Sequence, residues 1–128
     1  MNRIEEEISR AALAAVAEED DGRLLRRFRF SPGFVGFQGH FPGYPVVPAI
    51  VQLLAAQGVA LSRLSGTVRL AGVENAKFLI QLRPEEEIVV SCRLRHRGEE
   101  SVAHAQVDCV RGLAAVFDLI FAPERSRS

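Results

Sequence analysis

The side chains with which this chain could do chemistry are concentrated between Phe34 and Pro48. These 15 residues hold three glycines, three prolines, four aromatics and His40. Imidazole titrates near neutral pH, so His40 can take or give a proton under ordinary conditions. So many glycines and prolines exclude regular helix and central strand. An ordered loop rich in large side chains is expected, and such loops tend to carry function. Pro48 suits the first turn of a helix, where its missing N–H would be unpaired anyway. The first backbone amides of a helix point at negative charge. The other candidates read more plainly. His96 and His104 lie in alternating strands and are expected to be structural. Asp108 and Asp118 fall on strand faces exposed to solvent and receive no role. Glu85-Glu86-Glu87 reads as a solvated turn. Phe41 and Tyr44 suit either pocket lining or packing.

The elements around this loop set its position. Residues 2 to about 18 read as an amphipathic helix. Asn2 caps it, Glu5 completes a capping box, and Ile4, Ile8, Ala11, Ala12 and Ala15 form one apolar stripe. Arg23 to Phe30 alternates as a strand. From Pro48 a second helix runs to about Leu64, stops near Gly66, and is apolar on nearly every side. A helix of that kind is buried on most faces. The remainder is β-like. Val68 to Leu82 forms one long strand or two, with Gly72 at a bulge. Ile88 to His96, Val102 to Val110 and Leu113 to Phe121 follow, joined by turns at Arg97-Gly98-Glu99-Glu100 and Arg111-Gly112. Helix, short strands, loop, buried helix and meander make an α+β fold with a helix against one face of an antiparallel sheet. The expected organisation is one domain over residues 1–122 and a polar tail over 123–128.

Bulk properties restrict the function classes. Lys plus Arg equals Asp plus Glu, so no basic surface for nucleic acid is signalled. All the cations except Lys77 are Arg. Cys92 and Cys109 are too few for a disulfide framework and are not spaced as a metal pair, so they read as reduced thiols in or near the core. No segment reads as a signal peptide, and the apolar stretch from Val46 to Leu61 is interrupted by Pro48, Gln52 and Gln57. A cytoplasmic protein without membrane attachment is expected, and a core of this size suggests an oligomer.

Phe37-Gln38-Gly39-His40-Phe41-Pro42-Gly43-Tyr44-Pro45-Val46-Val47-Pro48 resembles the signature of hotdog-fold 3-hydroxyacyl-acyl-carrier-protein dehydratases. The stretch from Pro48 to Leu53, with Gln52 in the helix, resembles the dehydratase-like proteins of aryl-polyene gene clusters. Asn75-Ala76-Lys77-Phe78 and Arg83-Pro84-Glu85 resemble the family's Lys-Phe strand and its turn. The resemblance implies a sheet wrapped around a long central helix. It implies His40 as general base and the Ala49 N–H as oxyanion donor, at a position where the family usually has Gly. Gly39, Phe41, Pro42, Gly43 and Pro48 would shape the loop. The substrate implied is an acyl thioester on acyl carrier protein or coenzyme A, in fatty-acid or polyene biosynthesis, with no cofactor and no metal.

Position 54 departs from the pattern. Leu54 stands where the family carries a helix Glu or Asp, and leucine cannot exchange a proton. Gln57 lies one turn on and shares that face, so it is a candidate to position a water. Glu74 is a candidate substitute acid from the sheet. In the family the His loop of one chain faces the helix of another, which implies a homodimer or higher oligomer. A heterodimer with a paralogue that carries the acid would hold one complete site. Three functions follow: a hydro-lyase using His40, a catalytically impaired subunit that binds acyl chains or completes a heterodimer, and an acyl thioesterase, for which no separate nucleophile stands out.

Overall fold

A computed structural model of the chain describes residues 3–33 and 46–124. Its elements are α1 (Arg3–Ala11), β1 (Ala17–Glu18), β2 (Leu24–Arg29), α2 (Ala49–Leu61), β3 (Val68–Phe78), β4 (Glu87–Arg97), β5 (Glu100–Cys109) and β6 (Gly112–Pro123). The six strands form one sheet in the order β1-β2-β4-β5-β6-β3, and every neighbouring pair is antiparallel. α2 packs on one face of this sheet, the α+β hotdog arrangement expected from the sequence.

The close approach of α2 follows from side-chain size. Ala55, Ala56 and Ala60 on the helix and Ala103, Ala105 and Ala115 on the strands are fully buried in one core cluster. Larger residues fill the flanks. Phe28 and Phe30 stack with centroids 6.0 Å apart, and Phe78 stacks on Phe117 at 6.0 Å. Burial of this apolar face, rather than intrinsic propensity, holds a helix that contains the β-branched Ile50, Val51 and Val59. Its open side is different. Ile50 is 57% exposed and Leu61 is 40% exposed, while Leu53, Leu54 and Gln57 are half-buried. The helix is thus apolar on nearly every side, yet Ile50 and Leu61 are left exposed.

Boundaries differ from expectation at three elements. β3 ends at Phe78, short of Leu82. The first helix ends at Ala11 instead of continuing to residue 18. Ala12 bridges to Phe28, and the Leu13 N–H donates to the Arg27 carbonyl at 2.8 Å. Ala17 and Glu18 then pair with Leu25 and Leu24. Pairing with the β2 edge outweighs the local helical preference of the alanine run. α2 ends at Leu61, three residues early, where Ser62 Oγ donates back to the Val59 carbonyl at 2.6 Å.

The strands match the expected alternation closely. Gly98 alone has positive φ in the two-residue turn between Arg97 and Glu100, the pattern of a type II′ hairpin. β3 carries the expected irregularity between Leu70 and Gly72 and a second one between Glu74 and Lys77. At the second, Asn75 takes φ 54°, a left-handed conformation that Asn tolerates better than most residues. β6 runs to Pro123, which pairs with Val68, and the Glu124 N–H donates to the Thr67 carbonyl.

Candidate functional site

The start of α2 is held by three contacts that follow from its sequence. Pro48 caps the helix in extended conformation, and its carbonyl accepts from the N–H groups of Val51 and Gln52. The Val47 N–H donates to the Leu82 carbonyl at 2.8 Å, which ties the helix start to the chain beyond β3. Gln52 Nε2 donates to the Val47 carbonyl at 3.2 Å. The Ala49 N–H lies in the first turn, where helix geometry supplies no intrahelical acceptor. Ala49 and Gln52 line a cavity of about 310 Å³ with Val46, Phe78, Leu79 and Ile80. Gln81 completes a lining that is mostly apolar.

Leu54 and Gln57 lie elsewhere. They line a second cavity, of about 330 Å³, between α2, α1 and β2, together with Glu5, Ser9, Arg26 and Phe28. The expectation that Leu54 and Gln57 share a helix face therefore holds. Glu74 is near neither cavity. It pairs across β3 and β6 with Asp118, which pairs with the exposed His104, on the face of the sheet away from α2. Its carboxylate bridges to Arg97 at 3.2 Å. Gly39, His40, Phe41, Pro42, Gly43 and Tyr44 lie outside the described residues.

That outer face holds a cluster that sequence reasoning passed over. Asp118 Oδ1 is 2.6 Å from His104 Nδ1, and Asp118 Oδ2 accepts from Asn75 Nδ2 at 3.0 Å. Partial burial pushes the Asp118 carboxyl up. The hydrogen bonds from Asn75 and His104, with the nearby His104 and Arg95 charges, outweigh this and hold it below its ordinary value. Cys92 is buried, and burial pushes its thiol up to about 11, so it is a core thiol rather than a nucleophile. Among the described residues, no group of His, Cys, Asp and Glu is placed to hold a metal. No described helix is long and apolar enough to cross a membrane.

Comparison with known proteins assigns the chain to a family. The profile of ApeI-like proteins, described as ApeI dehydratase, matches residues 16–113, from β1 through the start of β6. The chain belongs to the ApeI-like dehydratase family. Among curated relatives, the 3-hydroxyacyl-acyl-carrier-protein dehydratase FabZ of Lawsonia intracellularis is 39% identical over 94 residues. That match covers 64% of this chain and 61% of the Lawsonia protein. The FabZ of Lactococcus lactis is 35% identical over 112 residues, covering 81% of this chain and 76% of its own. Among solved structures, the dehydratase heterocomplex ApeI:P from Xenorhabdus doucetiae aligns with a TM-score of 0.73 at 16% identity, covering 87% of this chain and 96% of that one. The PaaI protein of Escherichia coli, from the phenylacetic acid degradation operon, aligns with a TM-score of 0.65 at 12% identity, covering 84% and 80%. These structural likenesses establish the hotdog fold. Within an ApeI-like chain, Gln52 is the residue whose position the sequence marked but whose contact with Val47 only the structure displays.

Proposed function

We propose that this protein dehydrates 3-hydroxyacyl thioesters carried on acyl carrier protein, with His40 as general base at C2 and the Ala49 N–H polarising the thioester oxygen. The carboxylic acid that protonates the departing C3 oxygen comes from a second hotdog chain, because position 54 here is Leu. The observation that carries this reading is the start of α2, where Ala49, in the first turn, lines a cavity of about 310 Å³ with Val46, Phe78, Leu79, Ile80 and Gln81. Membership in the ApeI-like family and the FabZ relatives supply the substrate class.

The need for a second chain is supported by three features. Ala49 and Leu54 line different cavities of one chain. Ile50 and Leu61 on α2 are exposed apolar residues. β3 ends the sheet as an edge strand, with Leu70, Val73 and Phe78 partly exposed. An edge of this kind is a template for pairing with another strand. A solved relative of this fold is itself described as a dehydratase heterocomplex. We therefore favour a paralogue with Glu or Asp at the position of Leu54 as the partner.

The test uses the purified chain alone and mixed with paralogues that carry the helix carboxylate. Conversion of a 3-hydroxyacyl thioester to the enoyl product is followed by absorbance. A mixture that turns over, and loses activity with His40→Ala in this chain, is expected. A complex that forms but leaves the His40→Ala rate unchanged would remove His40 from catalysis. Complex formation without turnover would make the chain a non-catalytic subunit.

A further inference from the structure

The turn between β3 and β4 is bonded to both flanks of the stretch that contains His40. Leu82 is fully buried, and its carbonyl accepts from the Val47 N–H at 2.8 Å. Further along the same turn, the Glu85 N–H donates to the Phe30 carbonyl at 2.6 Å. Phe30 and Val47 stand on either side of residues 31–46, which include His40. Val47 also leads through Pro48 into the first turn of α2, where Ala49 lies. One short turn therefore fixes the separation of the two chain ends that lead to His40, and holds the start of the helix that carries the Ala49 N–H.

Arg111 grips this turn from the connection between β5 and β6. Its Nε donates to Glu86 Oε1 at 3.0 Å. Its Nη2 donates to Glu86 Oε2 at 2.7 Å and to the Gln81 carbonyl at 2.9 Å. Glu86 Oε2 also accepts from the Arg83 N–H at 3.1 Å. Glu86, expected in a solvated turn, thus has a side chain only 13% exposed. The hydrogen bond from Arg111 holds its carboxyl below the ordinary value, against the partial burial that pushes it up. A planar guanidinium that bonds a carboxylate and a carbonyl together fixes direction as well as distance. The turn has need of such a grip. Glu85 takes φ 66°, a left-handed conformation that persists in a residue other than glycine only where its surroundings impose it.

The geometry points to Arg111 as a positioning residue for the dehydration: by bracing the turn at Gln81 and Glu86 it holds Phe30 and Val47, and so sets the relative placement of His40 and the Ala49 N–H. This inference rests on the proposed function and adds to it a residue that acts through the fold. Displacing reacting groups by about 1 Å costs on the order of 100-fold in rate, so a brace remote from the chemistry is read in kcat.

The test compares wild type, Arg111→Gln and Arg111→Lys, each mixed with the carboxylate-bearing paralogue. Dehydration of a 3-hydroxyacyl thioester is measured beside amide hydrogen exchange. In both variants kcat should fall about 10- to 100-fold, with KM within about twofold of wild type. Exchange at the Val47 and Glu85 amides should quicken at least about tenfold, while exchange at Val90 in the core stays unchanged. Lysine keeps the charge but cannot span Gln81 and both oxygens of Glu86, so it should not rescue the rate. Full activity with lysine, a rise in KM alone, or unchanged exchange at Val47 and Glu85 overturns the inference. So does faster exchange with unchanged kcat, since the brace would then serve stability only. Faster exchange at Val90 in both variants would make the effect a general loosening and overturn it as well. Absence of turnover in the wild-type mixture is a separate result. It removes the proposed function, and this role with it, before any variant is compared.

Discussion

Ala49 and Leu54, five positions apart on α2, open onto different cavities of the same chain. Five residues turn a helix by roughly 140° net, so an amide at the helix start and a side chain at position 54 diverge. Leu54 shares its cavity with Arg26, Glu5 and Gln57, a setting polar enough to receive a carboxylate. Leu54→Glu should therefore restore the missing acid in assemblies of this chain alone. A positioned acid contributes on the order of 10²–10⁴-fold. Dehydration by the variant should exceed that of wild type by at least about 100-fold, measured by enoyl absorbance. A folded, assembled variant with no gain would show that more than the acid is lacking.

The exposed edge of β3 should mediate association. Val73 is 39% exposed near the middle of that strand, between its two register shifts. A lysine there charges the edge without disturbing the core. Val73→Lys should move the protein toward single-chain mass in light scattering and keep its circular dichroism. Unchanged mass would place the interface elsewhere.

The contact between α2 and the sheet depends on small residues. Ala56 is fully buried against the strands. Ala56→Leu adds three carbons where neighbouring side chains already touch. The expected loss is about 3 kcal/mol, read as a lower denaturant midpoint. A change below about 0.5 kcal/mol would mean that the packing is looser than the burial implies.

The outer-face pair of His104 and Asp118 predicts an acid sensitivity with a definite sign. The Asp118 carboxyl is held below its ordinary value of 3.8 in the folded chain. Its contribution to stability is present above that value and is lost as pH falls through the folded value. Asp118→Asn should destabilise the protein at pH 7 by about 1 kcal/mol, and the gap to wild type should shrink below pH 3.8. Since the His104 side chain is 59% exposed, solvent screens its share, and His104→Gln should cost less. A gap that is constant from pH 7 to pH 3 would contradict the linkage.

Much of this molecule was legible in the sequence because its signals are periodic. Alternation through Val90, Cys92 and Leu94 identified the inner face of β4 directly, since side chains on a strand change face at every residue. The prolines that lead into α2 and the bulge near Gly72 were legible because proline fixes φ and a glycine inside a strand marks an irregularity. The end of α1 at Ala11 was not, because the competitor to helix was a hydrogen-bonded edge on β2 far along the chain. The Asn75–Asp118–His104 cluster was hidden for the same reason. Its members lie on three strands, and only register brings them together.

The residues around Pro48 and the absence of a carboxylate at Leu54 are properties of the chain alone, and they determined its family and the question it poses. The tertiary structure decided what surrounds them. It gave Ala49 and Leu54 separate cavities, placed Glu74 on the far face of the sheet, and left one oxygen of Gln52 buried without a donor. Residue type prescribes what a group can do, but distance and burial depend on packing between segments that the linear chain keeps apart.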